Sequence, residues 1–280
     1  MITNAMNKCP AGTRTALVTG ANKGIGFFIA LQLGLSGQFA NILIGCRDAT
    51  RGQEAVATLQ QQMNNTSNTD VSVSFVPLCL GDRTTYTAVK ETLQQEFNGK
   101  LHVLINNAGV YTRTKRQPQS PVTVNYRETV ALTNELLPLL PTGEDARIVT
   151  VASQLGSLHQ ITSTSLRSQF ESNALTLSAL NDLMDQYEND KRHGKAGSNG
   201  WGSTEYGMSK LAIIAATRVW ARDNPGIAIN AACPGYCKTD MTGGMGMRDP
   251  QDGAKNVVIP ATMDDPPTGQ LYADYEIANW

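Results

Sequence analysis

The chain has 280 residues, of which 23 are basic and 24 acidic, so its formal net charge at pH 7 is −1. This balance excludes the strong field expected of a protein that binds nucleic acid or an anionic membrane, and it favours a small-molecule partner. Five cysteines without a C-x-x-C pair favour a reducing compartment, and no stretch approaches the ~18 apolar residues of a membrane span. We therefore expect a cytoplasmic, soluble protein with a flexible lead-in over residues 1–12.

Short apolar runs rich in β-branched residues alternate with helix-length segments along the chain. The predicted strands are residues 15–19, 41–44, 71–76, 102–105, 147–151 and 227–231. The predicted helices are residues 25–35, 51–63, 122–139, 174–187 and 206–221. This alternation predicts one α/β domain over residues 1–280, built on a doubly wound parallel sheet with helices on both faces.

One segment, from about residue 156 to 202, departs from this alternation. It contains a single plausible helix, residues 174–187, and then a stretch rich in Gly, Ser and Lys over residues 191–203. We predict a mostly helical insertion between the fifth strand and the helix that begins at Tyr206.

A glycine-rich turn follows the first predicted strand directly and opens a helix. Its sequence is Thr19-Gly20-Ala21-Asn22-Lys23-Gly24-Ile25-Gly26. Glycines allow the backbone to turn tightly and approach a pyrophosphate, whose charge the helix N-terminus favours. Such a turn alone is weak support, but its position after the first strand indicates a dinucleotide site. Its spacing is G-x-x-x-G-x-G, whereas many dehydrogenases have G-x-G-x-x-G.

Charge at the end of the second strand bears on which dinucleotide binds. An NAD enzyme usually has a carboxylate there for the ribose hydroxyls, whereas this chain has Arg47. The planar guanidinium suits a 2′-phosphate, and Lys23 adds a second cation, so the sequence predicts NADPH/NADP. The alternative is that both are solvated surface cations. Asp48 is better explained as a helix N-cap than as a ribose ligand.

Tyr206 and Lys210 lie four residues apart on a predicted helix and therefore share one face. Tyrosine has an unperturbed pKa of about 10, and a neighbouring cation lowers it, so this pair suits proton donation to a reduced carbonyl. Three other pairs have the same spacing: Tyr86/Lys90, Tyr111/Lys115 and Tyr187/Lys191. Only the first-named pair precedes an apolar run typical of a helix packed on a sheet. Tyr111 lies in a Lys/Arg-rich loop and is set aside with the other two.

Ser153 follows the fifth predicted strand, at the carboxyl end where open parallel sheets bind ligands. Ser157, Ser163 and Thr164 are rivals, but each lies further along the chain and suits loop chemistry. We therefore expect Ser153 to polarise the carbonyl oxygen of the substrate.

These features resemble the short-chain dehydrogenase/reductase family over nearly the whole chain. The ordered motifs are residues 19–26, Asn106-Asn107-Ala108-Gly109, Asn125, Ser153, Tyr206-x-x-x-Lys210 and Pro234-Gly235. Residues 47–52 and 233–241, and the separation of 53 positions between Ser153 and Tyr206, are similar to the monomeric NADPH-dependent carbonyl reductase branch.

The resemblance implies a Rossmann-like fold with about seven strands and specific residue roles. Tyr206 would donate the proton, Ser153 would polarise the carbonyl, Lys210 would bind the nicotinamide ribose and lower the tyrosine pKa, and Asn125 would hold a relay water. Substrate would meet Ser153, Tyr206 and Tyr236. The cofactor would contact Gly20, Asn22, Lys23, Gly24, Ile25, Gly26, Arg47, Cys79, Leu80, Asn107, Tyr206, Lys210, Pro234, Gly235, Cys237 and Thr239.

The resemblance also sets the functional expectation, which is NADPH-dependent reduction of a ketone, aldehyde or quinone. The alternatives are an NADP-dependent alcohol or steroid dehydrogenase and a non-catalytic NADP-sensing module. Two positions depart from the branch: Cys79 replaces an aspartate beside the adenine, and Tyr236 replaces a common tryptophan. No metal is expected, since the cysteines are far from the three histidines. A monomer is expected because the branch's insertion covers the family's usual dimer surface.

Overall fold

The computed structural model describes residues 14–66, 70–112 and 118–280. The expected lead-in over residues 1–12 lies outside the described residues. In the part of the chain that is described, no helix is both long enough and apolar enough to span a membrane.

One eight-stranded sheet organises the described chain. Its strands are β1 (Arg14–Thr19), β2 (Phe39–Cys46), β3 (Ser72–Pro77), β4 (Val103–Asn106), β5 (Ala146–Val151), β6 (Ile227–Ala232), β7 (Leu271–Ala273) and β8 (Glu276–Ala278). Their spatial order is β3-β2-β1-β4-β5-β6-β7-β8, and every neighbouring pair is parallel except β7–β8. The doubly wound parallel sheet is thus confirmed, and the strand beyond the expected seven is a short antiparallel edge strand.

Helices cover both faces of this sheet. They are α1 (Gly24–Leu35), α2 (Ala49–Asn64), α3 (Thr84–Glu96), α4 (Thr129–Leu136), α5 (Thr164–Glu171), α6 (Leu177–Arg192), α7 (Glu205–Asp223) and α8 (Pro250–Thr262). Side chains of the strands alternate between two apolar layers: Leu17 and Ile148 join one, whereas Val18 and Val149 join the other. Because both faces are covered, the strands are apolar throughout, as the sequence indicated.

The predicted helix over residues 122–139 is wrong in one respect. The segment begins as a π-helix, Val122–Glu128, continues as α4, and ends in a 3₁₀ turn, Leu137–Leu139. A π-helix carries a wider turn than an α-helix and is frequent at functional sites. The apolar periodicity does not distinguish these forms, because all three bury one side of the segment.

Residues 156–202 contain two helices, α5 and α6, where the sequence predicted one. Helix α6 contacts the π-helix: the Tyr126 hydroxyl donates to Asn181 Oδ1 at 2.8 Å, and Arg127 pairs with Asp185 and Glu188. After α6, Trp201 Nε1 donates to Asp190 Oδ2 at 2.8 Å, which fixes the return of the chain toward α7.

The strand order reverses between β1 and β4, because the chain adds β2 and β3 on one side and the later strands on the other. The chain leaves β1 toward β2 and leaves β4 toward β5, so these two connections run to opposite sides at the carboxyl edge. In open α/β sheets this switch point is where ligands bind.

Candidate active site

A cavity of about 700 Å³ opens at this carboxyl edge. Its walls come from the segments that follow β4, β5 and β6 and from the first turns of α1 and α7. Sequence-predicted residues in these walls are Ile25, Asn107, Ser153, Tyr206, Lys210, Pro234, Gly235, Tyr236, Cys237 and Thr239. The cavity thus brings together five parts of the chain that are far apart in sequence.

The remaining predicted residues lie beside or behind the cavity walls. Gly20, Asn22 and Lys23 lie between β1 and α1, and Gly24 and Gly26 lie in the first turn of α1. Arg47 follows β2, Cys79 and Leu80 follow β3, and Asn125 lies in the π-helix. Cys79 is held by its own backbone N–H, which donates to Thr85 Oγ1 at 3.2 Å. Leu80 packs partly against the core.

The glycine turn has the backbone that a pyrophosphate requires. Gly20 has a φ of +64°, in the left-handed region, and a methyl group on Gly26 would lie 2.5 Å from the Gly20 carbonyl oxygen. Lys23 occupies the N-cap of α1 without a side-chain cap, and the first turn of α1 has no acidic residue. The uncapped N–H groups and the helix dipole favour an anion at this point, so these residues fit a dinucleotide phosphate.

Asn107 holds this turn in place. Its Nδ2 donates to Thr19 O at 2.8 Å and to Gly20 O at 3.2 Å, and its backbone N–H donates to Thr19 Oγ1. These bonds tie the segment after β4 to the segment after β1, across the switch point. The sequence suggested both a turn role and a cofactor-bordering role for Asn107, and its place in the cavity wall is compatible with both.

The predicted phosphate cations lie at the N-cap of α1 and after the carboxyl end of the neighbouring strand β2. Lys23 Nζ lies 2.5 Å from Asp240 Oδ2, and both side chains are mostly exposed. Arg47 is exposed at the end of β2. Asp48 is the N-cap of α2, where Oδ1 accepts from Arg51 N at 3.1 Å, which confirms the capping interpretation.

Ser153, Tyr206 and Lys210 meet at the inner end of the cavity. Ser153 follows β5, with its Oγ accepting from Leu155 N at 3.2 Å. Tyr206 lies in the first turn of α7, which Thr204 caps, and Lys210 follows one turn later. Lys210 Nζ lies 5.7 Å from the Tyr206 ring centroid and donates to Val151 O at 2.6 Å.

Burial shifts the pKa values of Tyr206 and Lys210 in opposite directions. It raises the pKa of Tyr206 to about 12, although a hydrogen bond with Ser153 opposes the rise. It lowers the pKa of Lys210 to about 8. The sequence led us to expect that Lys210 would lower the tyrosine pKa, whereas in this structure Ser153 is the group that lowers it. The Tyr206 phenol is therefore protonated at neutral pH.

Asn125 lies at the back of the site, where the π-helix faces α7. Its Oδ1 accepts from Val110 N at 2.7 Å, and its Nδ2 donates to Val110 O at 2.8 Å and to Ser209 Oγ at 3.1 Å. The side chain thus links the cavity wall at Val110 to α7, one residue before Lys210.

Tyr111 is the site residue that sequence reasoning missed. Its ring packs against Tyr206, with the two centroids 4.9 Å apart and the planes tilted by 55°. The available signal was the position of Tyr111 two residues after Asn106-Asn107-Ala108-Gly109, which places it at the carboxyl end of β4. The Lys/Arg-rich stretch that follows obscured this signal, and residues 113–117 lie outside the described chain.

The other two tyrosines set aside from sequence are structural. The Tyr86 hydroxyl accepts from Gly81 N at 2.9 Å and donates to Glu128 at 3.1 Å. Tyr187 is buried against Trp201 within α6, where the sequence suggested an approach to a loop. Over the ranges that the structure describes, no group of three or more potential metal ligands occurs.

Comparisons with known proteins identify the family of this chain. The family model described as short chain dehydrogenase matches residues 14–165. The chain is 34% identical to carbonyl reductase [NADPH] 1 of Rattus norvegicus, covering 95% of this chain and 98% of that one. It is 34% identical to carbonyl reductase [NADPH] 3 of Homo sapiens, covering 98% and 100%. Among solved structures, salutaridine reductase from Papaver somniferum matches with a TM-score of 0.78 at 30% identity, covering 92% and 99%.

Proposed function

This chain belongs to the short-chain dehydrogenase family, and from that premise we propose that it is an NADPH-dependent carbonyl reductase. The observation that carries the proposal is the meeting of Ser153, Tyr206 and Lys210 in a cavity that reaches the glycine turn. The named relatives are carbonyl reductases, and this chain matches them over almost their full lengths. We infer that the substrate is a ketone, aldehyde or quinone, reduced to the alcohol.

The cofactor assignment rests on the turn and its cations. The uncapped N-terminus of α1 would hold the pyrophosphate, and Lys23 and Arg47 would bind the 2′-phosphate. Thr239, Pro234 and Gly235 line the nicotinamide side of the cavity in this proposal. When bound, NADPH supplies the hydride.

The residues of this chain supply the proton and the polarisation. We propose that the Ser153 hydroxyl donates to the carbonyl oxygen and that the Tyr206 phenol gives its proton to that oxygen as negative charge develops. Lys210, fixed by its bond to Val151 O, places a cation beside the phenol and stabilises the phenolate that remains. Asn125 would hold a water that returns a proton to the Tyr206 phenolate. Hydrogen bonds to Val110 and Ser209 fix the orientation of the Asn125 side chain.

We propose reduction as the physiological direction, because the relatives named above are carbonyl reductases that use NADPH. We also propose a cytoplasmic enzyme, since the described cysteines Cys46, Cys79, Cys233 and Cys237 are all free thiols, which fits a reducing compartment. The test of the activity is NADPH consumption with ketones, aldehydes and quinones, compared with alcohol oxidation by NADP. Turnover restricted to alcohols would reject the reductase assignment.

We propose further that the protein is a monomer, because α6 covers the π-helix through Tyr126 and Arg127 and so occupies a surface that a second subunit would need. Light scattering at micromolar concentration should give the mass of one chain, 30.1 kDa. Twice that value would contradict the proposal.

A further inference from the structure

Tyr111 combines two properties that its packing alone does not explain. One side of its ring contacts Tyr206, at 4.9 Å between centroids, yet 52% of the residue remains exposed. Tyr86 and Tyr187, by contrast, are almost fully buried. Tyr111 is also one of the residues that line the cavity. An aromatic ring is thus presented to whatever occupies the space beside the phenol.

The outer part of the same cavity is also apolar. Leu155, Tyr236, Met241 and Met245 line it and are all exposed large hydrophobic side chains. Among the lining residues that the structure describes, Lys210 alone carries a charge, and it is buried. Unbranched methionines adapt to irregular ligand shapes, so this part of the cavity suits bulky apolar groups rather than one fixed outline.

We propose that Tyr111 is a specificity-determining residue: its ring and that of Tyr206 form an aromatic wall, on which an aryl group attached to the reacting carbonyl packs. This inference rests on the proposed reductase function and names the substrate class of that site, which is aryl ketones. The contact between the two rings places this wall directly beside the group that donates the proton. An aryl substituent on the carbonyl carbon therefore meets Tyr111 when the oxygen meets Tyr206.

The contact between Tyr111 and Tyr206 joins their two rings. Aromatic pairs gain from offset or tilted packing at centroid separations of 4.5–7 Å. Phenylalanine preserves this surface, leucine preserves only apolar bulk, and alanine removes both. The three substitutions therefore separate aromatic packing from general hydrophobicity and from hydroxyl chemistry.

The experiment measures kcat and KM for acetophenone, cyclohexyl methyl ketone and 2-butanone with wild type, Tyr111→Phe, Tyr111→Leu and Tyr111→Ala. Ile277→Ala is the control, because Ile277 is a similarly exposed hydrophobic residue that does not line the cavity. We expect Tyr111→Ala to lose about tenfold in kcat/KM for acetophenone, chiefly through KM, and less than twofold for 2-butanone. Tyr111→Phe should retain wild-type selectivity, and Tyr111→Leu should lose more with acetophenone than with the cyclohexyl ketone.

Equal losses for all three ketones, or a loss in Tyr111→Phe as large as in Tyr111→Ala, would overturn the specificity role. Fluorescence titration with NADPH accompanies each variant and should give unchanged affinity, because Tyr111 lies on the substrate side of Tyr206 in this proposal. If wild type consumes NADPH with none of the carbonyl compounds, the reductase function fails and the inference fails with it. If wild type reduces all three ketones but Tyr111→Ala keeps their relative kcat/KM values, the inference fails alone.

Discussion

Lys23 in the glycine turn and Asp240 in the loop after β6 form an ion pair with Nζ and Oδ2 2.5 Å apart. The pair connects two segments that border the cofactor side of the cavity. Because both side chains are exposed, the pair itself contributes little stability, at most about 1 kcal/mol. A 2′-phosphate that reaches Lys23 must displace or share this carboxylate.

The first prediction concerns that competition. Asp240→Asn should bind NADPH a few-fold more tightly than wild type, because Lys23 becomes available and one negative charge near the phosphate is removed. The affinity for NADH, which lacks the phosphate, should change less. Fluorescence titrations at low and high salt test both statements, and the gain should shrink as salt screens the charges. An unchanged NADPH affinity at low salt would show that Lys23 does not serve the phosphate.

The second prediction concerns cofactor choice. Two charge-assisted contacts, from Lys23 and Arg47, should favour NADPH over NADH by about a hundredfold or more in kcat/KM. Lys23→Ala combined with Arg47→Asp should erase this preference, since the new carboxylate accepts the ribose hydroxyls of NADH. The test is to measure kcat/KM for NADPH and for NADH, with one good ketone, in wild type and in the double variant. A double variant that keeps the wild-type preference would place the phosphate elsewhere.

The third prediction separates the proton donor from structural tyrosines. Tyr206→Phe should abolish reduction while the NADPH affinity stays within a few-fold, because the phenol acts in the transition state and the ring is retained. Tyr187→Phe is the matched control: the buried Tyr187 hydroxyl has no hydrogen-bond partner among the described residues, so its removal should be harmless. Single-turnover reduction by Tyr206→Phe at a near-normal rate would reject the assignment.

Tyr86→Phe provides a second contrast, because the Tyr86 hydroxyl bonds to Gly81 and Glu128. This variant should lose about 1 kcal/mol in the free energy of unfolding. Its kcat should remain close to that of wild type, since Tyr86 does not line the cavity. Urea unfolding and steady-state kinetics thus distinguish structural from chemical tyrosines.

The fourth prediction follows from the buried ammonium of Lys210. Burial lowers its pKa from 10.5 to about 8, so between these values the unfolded chain binds a proton that the native protein has released. The contribution of Lys210 to the free energy of unfolding therefore rises as pH increases through this window. Below pH 8 the native lysine is charged, and burying that charge destabilises the folded state. Relative to Lys210→Met, wild type should gain on the order of 3 kcal/mol in the free energy of unfolding across the window.

Urea unfolding of wild type and Lys210→Met at several pH values from neutral to alkaline measures this difference. Other titrating groups are common to both proteins and cancel. A difference that stays constant with pH would mean that the native lysine keeps an ordinary pKa.

Sequence predicted those parts of the site that local patterns determine. The glycine turn, Ser153 after a strand and the pair Tyr206/Lys210 each depend on a few neighbouring residues and the strand or helix that carries them. The contact of Tyr111 with Tyr206 joins residues 95 positions apart, and the Lys23–Asp240 pair joins residues still further apart. Such contacts depend on how β4, β6 and α7 pack, which a propensity or a period does not specify.

The same reasoning explains the differences in the fold. Strands β7 and β8 have three residues each, too few for an alternation to be recognised. Helix α5 is a single short segment of eight residues inside the insertion, and it buries only Leu166 and Phe170. In both cases tertiary contacts, rather than local preference, determine the conformation.

The π-helix Val122–Glu128 makes the helical segment sensitive to its residue count. Removing one residue from the wide turn would restore ordinary α-helical winding and shorten the axis by only about 1.5 Å. The helix on either side would keep nearly the same facing, because the extra residue is what widens the turn, and the rearrangement would fall on the residues of the turn itself, where Asn125 lies. Asn125 would then point away from Val110 and Ser209 although every side chain of the site is still present in the sequence. The length of this segment is therefore constrained more tightly in evolution than its composition. A natural homologue that lacks this residue should have different contacts between this segment and α7.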